Sequence, residues 1–191
     1  MTLDPRDCAD GELAALGLAG NQAAFVEMMR RHRAPIFRLI RSYVGDADEA
    51  LDLVQETFVA GFRALDRYDR ERPLRAWLTT IALNKCRDWG RKRTVRRLFQ
   101  FAAPIGEAAE QVADDRAGAD VVTADRQALE RVGRAIRALP RALKEPLILC
   151  AVDGLSQAEA ADILAISEKA VETRLYRART RLRETIGRDE G

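Results

Sequence analysis

Histidine is nearly missing from this chain: of 191 residues, only His32 is one. A zinc site or a histidine-based catalytic triad is therefore hard to assemble. Cysteine is scarce and odd in number. Cys8, Cys86 and Cys150 are widely spaced, which fits a reducing cytoplasm in which each thiol is a small packing residue. No apolar run approaches the roughly 20 residues that a membrane-spanning helix needs. The N-terminal stretch MTLDPRDCADGE is acidic and lacks the basic start and apolar centre of a signal peptide. There is no glycine-rich phosphate loop and no internal repeat. With aromatics at 6% and no strand-type alternation, the composition points to small helical domains rather than a β-sandwich. These absences exclude membrane insertion and leave no catalytic cluster, so the expectation is a cytoplasmic non-enzyme without cofactor or metal.

A large net charge is missing too, since 32 basic against 30 acidic residues leave +2. What is present is segregation. Residues 85–97 read KCRDWGRKRTVRR, with Asp88 the only acid, whereas residues 107–125 are acid-rich. A local basic cluster is the electrostatic footprint of a polyanion partner even in a nearly neutral protein.

Apolar residues recur at helical spacing through most of the chain. A short helix is expected over residues 10–18, ended by Gly20, and Asn21 can cap the next. That second helix carries Phe25, Met28, Met29, Ile36, Leu39, Ile40 and Val44, with Pro35 expected to kink or split it. Gly45 and Asp46 end one helix and cap another that runs to about Tyr68. A loop over residues 70–73 precedes a helix expected over residues 74–93. Periodicity fades between residues 99 and 123, where Ala, Gly, Asp and Glu dominate as in a flexible tether. It returns with Leu129, Val132, Ile136 and Leu139, stops at Pro140, and resumes at residues 147–152. The fold class is all-α: two small helical domains over residues 10–97 and 125–187, joined by a flexible linker over residues 98–124.

The most informative segment is residues 156–183, SQAEAADILAISEKAVETRLYRARTRLR. Ser156 followed by Glu159 is a capping box, in which both side chains satisfy orphan backbone N–H groups at a helix start. Gly154 suits the stop of the preceding helix. Ser167 can cap the next, whose Val171, Leu175, Ala178 and Leu182 share one face. The opposite face holds Lys169, Thr173, Tyr176 and Thr180, flanked by Glu172 and Arg177. Two short helices, a tight turn and one polar, basic face make a helix-turn-helix whose second helix enters a DNA major groove.

Two further constellations matter. The helix from Leu74 sets Leu74, Leu78, Ile81 and Trp89 on one side. A neighbouring stripe carries Trp77, Thr80, Asn84, Arg87 or Asp88, and Arg91, leading into Lys92, Arg93, Arg96 and Arg97. Aromatic stacking on a base is worth roughly 1–3 kcal/mol, and basic groups hold phosphates, so this stripe suits single-stranded DNA. Upstream, Leu51, Val54, Phe58, Phe62 and Leu65 are expected to form a broad buried face, opposite Asp48, Asp52, Gln55, Glu56 and Val59. By residue type alone that acidic stripe reads as a solvated helix face, although it can also dock a basic partner helix.

In their order along the chain, the segments EALDLVQETF, PLRAWLTTIALNKCRDWGRKR and GLSQAEAADILAISEKAVETRLYRARTRLRE resemble the extracytoplasmic-function sigma factors of bacterial RNA polymerase. The resemblance covers residues 21–97 and 125–186. It implies a sigma region 2 domain, a linker and a sigma region 4 domain. It also implies binding to core RNA polymerase through Asp48, Asp52, Gln55 and Glu56. Recognition and melting of the minus-ten element would fall to Trp77, Thr80, Asn84, Arg87, Asp88, Arg91 and Lys92, with Asn84 at a flipped non-template base. Reading of the duplex minus-thirty-five element would fall to Ser167, Lys169, Glu172, Thr173, Arg174, Tyr176 and Arg177. Control by an anti-sigma factor is a further implication. Leu51, Leu74, Ala170 and Glu172 depart from the family's usual residues. The alternative is a stand-alone helix-turn-helix transcriptional regulator with the N-terminal block as a sensing or dimerisation module.

Overall fold

The computed structural model describes residues 4–102 and 124–188, and every regular element among them is helical. A 3₁₀ turn at Pro5–Asp7 leads into α1 (Asp10–Leu18). Asn21 starts α2 (Gln22–Val44), its Oδ1 accepting from the Ala24 N–H at 3.1 Å. Gly45, at φ 91°, ends α2 in the left-handed region that favours glycine. Asp46 then caps α3 (Ala47–Arg63), accepting from the Glu49 N–H at 2.8 Å. A 3₁₀ turn at Leu65–Arg67 follows, and then α4 (Leu74–Ala102).

The second block contains α5 (Ala124–Ala138), α6 (Arg141–Leu147), a π-helical turn at Ile148–Val152, α7 (Gln157–Leu164) and α8 (Glu168–Arg188). The capping box forms as expected. Ser156 Oγ accepts from the Glu159 N–H at 3.2 Å, and Glu159 Oε2 accepts from the Ser156 N–H at 2.8 Å. In the tight turn before α8, Ala165 adopts φ 52°, and Ser167 Oγ accepts from the Ala170 N–H at 3.1 Å.

Three expectations need correction. Pro35 does not split α2, which runs unbroken through it. The Pro35 ring removes one backbone donor, but Ile36, Leu39 and Ile40 are buried after it and Met28 before it, so packing keeps the helix continuous. Next, α4 continues past residue 97 to Ala102, so the expected linker begins as helix; residues 103–123 lie outside the described residues. Finally, the buried face of α3 is only partly the one expected: Val54, Phe58 and, just past the helix, Leu65 are buried, but the face is turned so that smaller residues complete it. Ala50, Leu53, Val54, Thr57, Phe58 and Gly61 are buried, whereas Leu51 and Phe62 are exposed, Phe62 by 50%.

Central α2 touches every neighbour that matters. It packs on α1, α3 and α4 within the first block, and on the π turn and α5 of the second. Ile148 and Leu149 of the π turn are fully buried, and the hydrophobic core runs continuously from one block into the other. Cys86, on α4, is buried within electrostatic reach of Glu145 and Lys144, and burial pushes its thiol up to about 12. Cys8 is buried as well, so both are the packing residues the sequence suggested.

The N-terminal segment is fastened by Arg31. Its Nη1 donates to the Cys8 carbonyl at 2.8 Å, its Nη2 to the Arg6 carbonyl at 2.9 Å, and its Nε to Glu27 at 2.7 Å. Hydrogen bonds from Arg30 and Arg31 hold the Glu27 carboxyl down at about 2. His32 spends its ring on Asp10, with Nε2 and Oδ2 2.9 Å apart.

Candidate nucleic-acid interface and acidic groove

The second helix of the helix-turn-helix buries Val171, Leu175 and Ala178 and half-buries Leu182. Its outer face carries Lys169, Glu172, Thr173, Tyr176 and Arg177, all exposed, with Tyr176 the most prominent at 70%. Arg174 is half-buried at the edge of that face. Lys169 and Glu172 neutralise each other at 2.7 Å, a pair formed entirely within the helix. Thr173 Oγ1 donates to the Lys169 carbonyl at 2.9 Å, which leaves its oxygen as an acceptor and its methyl group for contact. The Ser167 hydroxyl is committed to capping. This is an exposed polar face on a formed helix, an element that a major groove admits.

The stripe on α4 is held differently. Trp77 is half-buried, its ring centroid 5.2 Å from that of Tyr68, and it lines a small apolar cleft with Phe25, Phe62 and Leu65. It thus packs against the core and keeps part of its surface exposed. Tyr68 is fixed in turn by its hydroxyl, which donates to the Arg72 carbonyl at 2.5 Å, so the loop before α4 is tied down. Thr80 donates to the Ala76 carbonyl at 3.0 Å. Asn84 is exposed, and its Oδ1 accepts from Arg87 Nη1 at 3.0 Å, so its amide donors point outward. Arg91 pairs with Asp88 one turn away, Lys92 is exposed, and Arg93 lies over the Trp89 ring at 5.1 Å.

Two arginines of α4 reach across to the second block. Arg87 Nε and Nη2 donate to Oε1 and Oε2 of Glu145 at 2.8 and 2.7 Å, a fork-to-fork pair. Arg75 Nη2 donates to Asp153 Oδ1 at 2.6 Å and to its backbone carbonyl at 2.7 Å. Sequence reasoning missed these acids. Both are buried, and partners 58 and 78 residues apart leave no periodic signal.

On α3, Asp52, Gln55 and Glu56 are exposed along one side, with Asp48 also exposed in the first turn. Asp52, Gln55 and Glu56, with Val59 and Arg63 of α3 and Lys85 of α4, line an open groove of about 510 Å³. Lys85 Nζ donates to Glu56 Oε2 at 3.1 Å across its floor. The acidic wall and the apolar Val59, exposed by 49%, suit a basic, partly apolar helix of another protein, although Lys85 offsets part of that charge through Glu56. No cluster of side chains able to hold a metal exists among the described residues. No helix among them is long and apolar enough to cross a membrane.

Comparison with known proteins gives the same picture. A family described as Sigma-70 region 2 matches residues 28–96, and one described as Sigma-70, region 4, matches residues 129–182. The chain is 41% identical over 189 residues to RNA polymerase sigma factor CnrH of Cupriavidus metallidurans, covering 98% of each. It is 38% identical over 173 residues to RNA polymerase sigma factor NccH of Alcaligenes xylosoxydans xylosoxydans, covering 91% of this chain and 92% of that one. Among solved structures, CnrH in complex with the cytosolic domain of CnrY aligns at a TM-score of 0.69 and 36% identity, over 95% of this chain and 99% of that chain. The sigma factor RpoE in complex with the anti-sigma factor NepR, from Bartonella quintana, aligns at a TM-score of 0.65 and 25% identity, over 85% and 96%.

Proposed function

This chain belongs to the sigma-70 family of RNA polymerase sigma factors, in its extracytoplasmic-function class, and from that premise we propose how its two helical blocks divide the work. As a sigma factor it binds core RNA polymerase and directs promoter-specific initiation. The bond-making chemistry is the polymerase's, and this chain works in the cytoplasm, where polymerase and promoter meet. Residues 10–97 act as the region 2 domain and residues 125–187 as the region 4 domain.

Each step is assigned to particular side chains. The acidic face of α3, through Asp48, Asp52, Gln55 and Glu56, receives a basic helix of core polymerase, and long-range attraction speeds the encounter. The outer face of α8 enters the duplex major groove at the minus-thirty-five element. There Lys169, Arg174 and Arg177 meet phosphates and guanine edges, while Thr173 and Tyr176 add apolar contact, with Ser167 and Glu172 at the rim. On α4, Trp77 and Asn84 hold an unstacked base of the minus-ten strand, while Arg87, Arg91 and Lys92 neutralise its phosphates, with Thr80 and Asp88 alongside. Opening each base step costs a few kcal/mol, so several weak contacts must act together.

Spacing explains why neither block suffices alone. Two promoter elements about 25 base pairs apart stand about 85 Å from one another at about 3.4 Å per pair. Core polymerase fixes that separation, and the tether then turns two weak readers into one tight one. The observation that carries this reading is the pairing, in a single chain, of the exposed α8 face with a stripe on α4 that runs from half-buried Trp77 to exposed Asn84. Because the two solved structures named above are complexes with CnrY and NepR, we extend the same mode of control to this chain, a separate anti-sigma protein that masks its polymerase-binding surfaces. A gel-shift on promoter duplex tests the division of labour. Binding only in the presence of core polymerase supports it, whereas tight specific binding by the free chain supports a stand-alone helix-turn-helix regulator.

A further inference from the structure

Positive charge gathers where α2, α4, α5 and α6 meet. Arg137, on α5, lies across the left-handed turn at Gly45 that ends α2. A Cβ at Gly45 would stand 2.3 Å from its Cδ, 2.4 Å from its Nε and 2.9 Å from its Cζ, so only glycine leaves room for this side chain. One turn back on α5, a Cβ at Gly133 would meet its Nη1 at 3.0 Å. The guanidinium therefore occupies a half-buried seat bounded by two glycines.

Its surroundings share its sign. Arg41 from the last turn of α2, Arg93 from α4, Arg134 from α5 and Lys144 from α6 all lie within electrostatic reach of it. Arg93 lies over the Trp89 ring at 5.1 Å and Lys144 over the Tyr43 ring at 4.8 Å, contacts that place these two cations without neutralising them. The nearby acid, Glu145, is already held by the fork of Arg87. Among the described residues no carboxylate pairs with Arg41, Arg134 or Arg137, and nothing accepts a hydrogen bond from Arg137. Burial and the like-charged neighbours both disfavour its charge. The C-terminal dipole of α2 explains why a cation sits at Gly45, but it supplies only about half a negative charge against five whole positive ones.

We infer that this junction is a binding site for a compact, multiply charged phosphate anion, with the Arg137 guanidinium at its centre and Arg41, Arg93, Arg134 and Lys144 around it. Phosphate oxygens accept in pairs from an arginine fork, and their charge offsets the repulsion that the bare junction carries. The cations come from four helices and converge on one guanidinium, which suits a compact group. A nucleic-acid strand instead needs its cations spread along a groove. The site shares no residue with the Trp77–Asn84 stripe or the outer face of α8, so it stands apart from how those read a promoter.

The test is isothermal titration of the full-length chain with sodium triphosphate at constant ionic strength. Wild type, Arg137→Gln, Arg41→Gln and Arg33→Gln are compared, the last removing one exposed charge elsewhere on α2. One anion per chain is expected in wild type and, with the same affinity, in Arg33→Gln. Affinity is expected to fall about tenfold in Arg137→Gln and about threefold in Arg41→Gln. Absence of saturable binding to wild type overturns the proposal. So does an equal loss in all three variants, which marks unfocused attraction to the whole surface. A mixed-sequence single-stranded DNA is titrated in parallel, and DNA binding lost in Arg137→Gln with triphosphate binding unchanged overturns the compact-anion assignment. If circular dichroism shows that Arg137→Gln does not fold, Arg134→Gln takes its place with the same outcomes. None of these results bears on the sigma-factor mechanism, which core-dependent transcription by wild type tests separately.

Discussion

The two DNA-facing helices are presented in opposite ways. On α8 the contact side chains stand clear, bonded at most to residues of their own helix, as Lys169 is to Glu172. On α4 they are woven into other elements: Trp77 into the aromatic packing around Tyr68, Arg87 into Glu145 of the second block. The contrast follows from what each must bind. A duplex groove exists before the protein arrives, so a rigid preformed helix loses little on docking. An unpaired strand exists only after base pairs have been broken, and a reader left free for any polyanion would collect single strands indiscriminately. Restraint on α4 and readiness on α8 are thus two answers to two substrates.

The largest expected effect removes the part that both readers depend on. Asp52→Arg with Glu56→Arg reverses the charge of the α3 groove and is expected to abolish co-purification with polymerase, with both DNA-facing helices intact by circular dichroism. Retained co-purification breaks the assignment of that groove. Next, Asn84→Ala is expected to lower strand opening about tenfold or more, seen as lost permanganate reactivity in the minus-ten region, while polymerase binding and the upstream footprint persist. Trp77→Ala is expected to do the same and in addition to cost about 2 kcal/mol of stability, because its ring is half core. Equal loss of melting and of polymerase binding from Asn84→Ala counts against the comparison.

Arg177→Ala, on the free-standing helix, is expected to weaken occupancy of the upstream duplex about fivefold to tenfold, measured by footprinting, with melting unchanged once the complex has formed. An unchanged upstream footprint would blur the distinction between the helices.

Much of this architecture is legible in the residues because caps are local. Asn21, Asp46, Ser156 with Glu159, and Ser167 each bond the backbone N–H three positions on, so a short window identifies them. The outer face of α8 is legible for the same reason, since Val171, Leu175 and Ala178 set its phase and all three are buried. The phase of α3 was not. Ala50, Thr57 and Gly61 are buried because small residues let helices approach, and a Cβ on Gly61 would meet Leu78 Cδ2 at 3.1 Å. Small residues carry little apolar signal, so the larger Leu51 and Phe62 drew the reading one step round the helix. The seam between the blocks was invisible too. Glu145 and Asp153 look like ordinary surface acids until the fold sets them beside Arg87 and Arg75.

The smallest effect is a pH dependence within the first block. Glu27 holds Arg30 and Arg31 and so fastens the N-terminal segment to the first block. Its carboxyl titrates at about 2 in the folded chain against an ordinary value of 4.5, so its stabilisation is complete above that ordinary value and fades as the pH falls towards 2. Melting temperature followed against pH should fall across that window in wild type and fall less steeply in Glu27→Gln. Parallel slopes would show that the clamp contributes nothing.

The central claim is that two linked helical readers confer promoter selectivity only when core polymerase holds them apart. Reconstituted transcription over a library of upstream sequences, with core enzyme alone and with this chain added, tests it most directly. The account expects start sites confined to templates that share two elements at a fixed spacing, and lost when that spacing changes by half a helical turn. Starts that are no more selective with the chain than without it contradict the account.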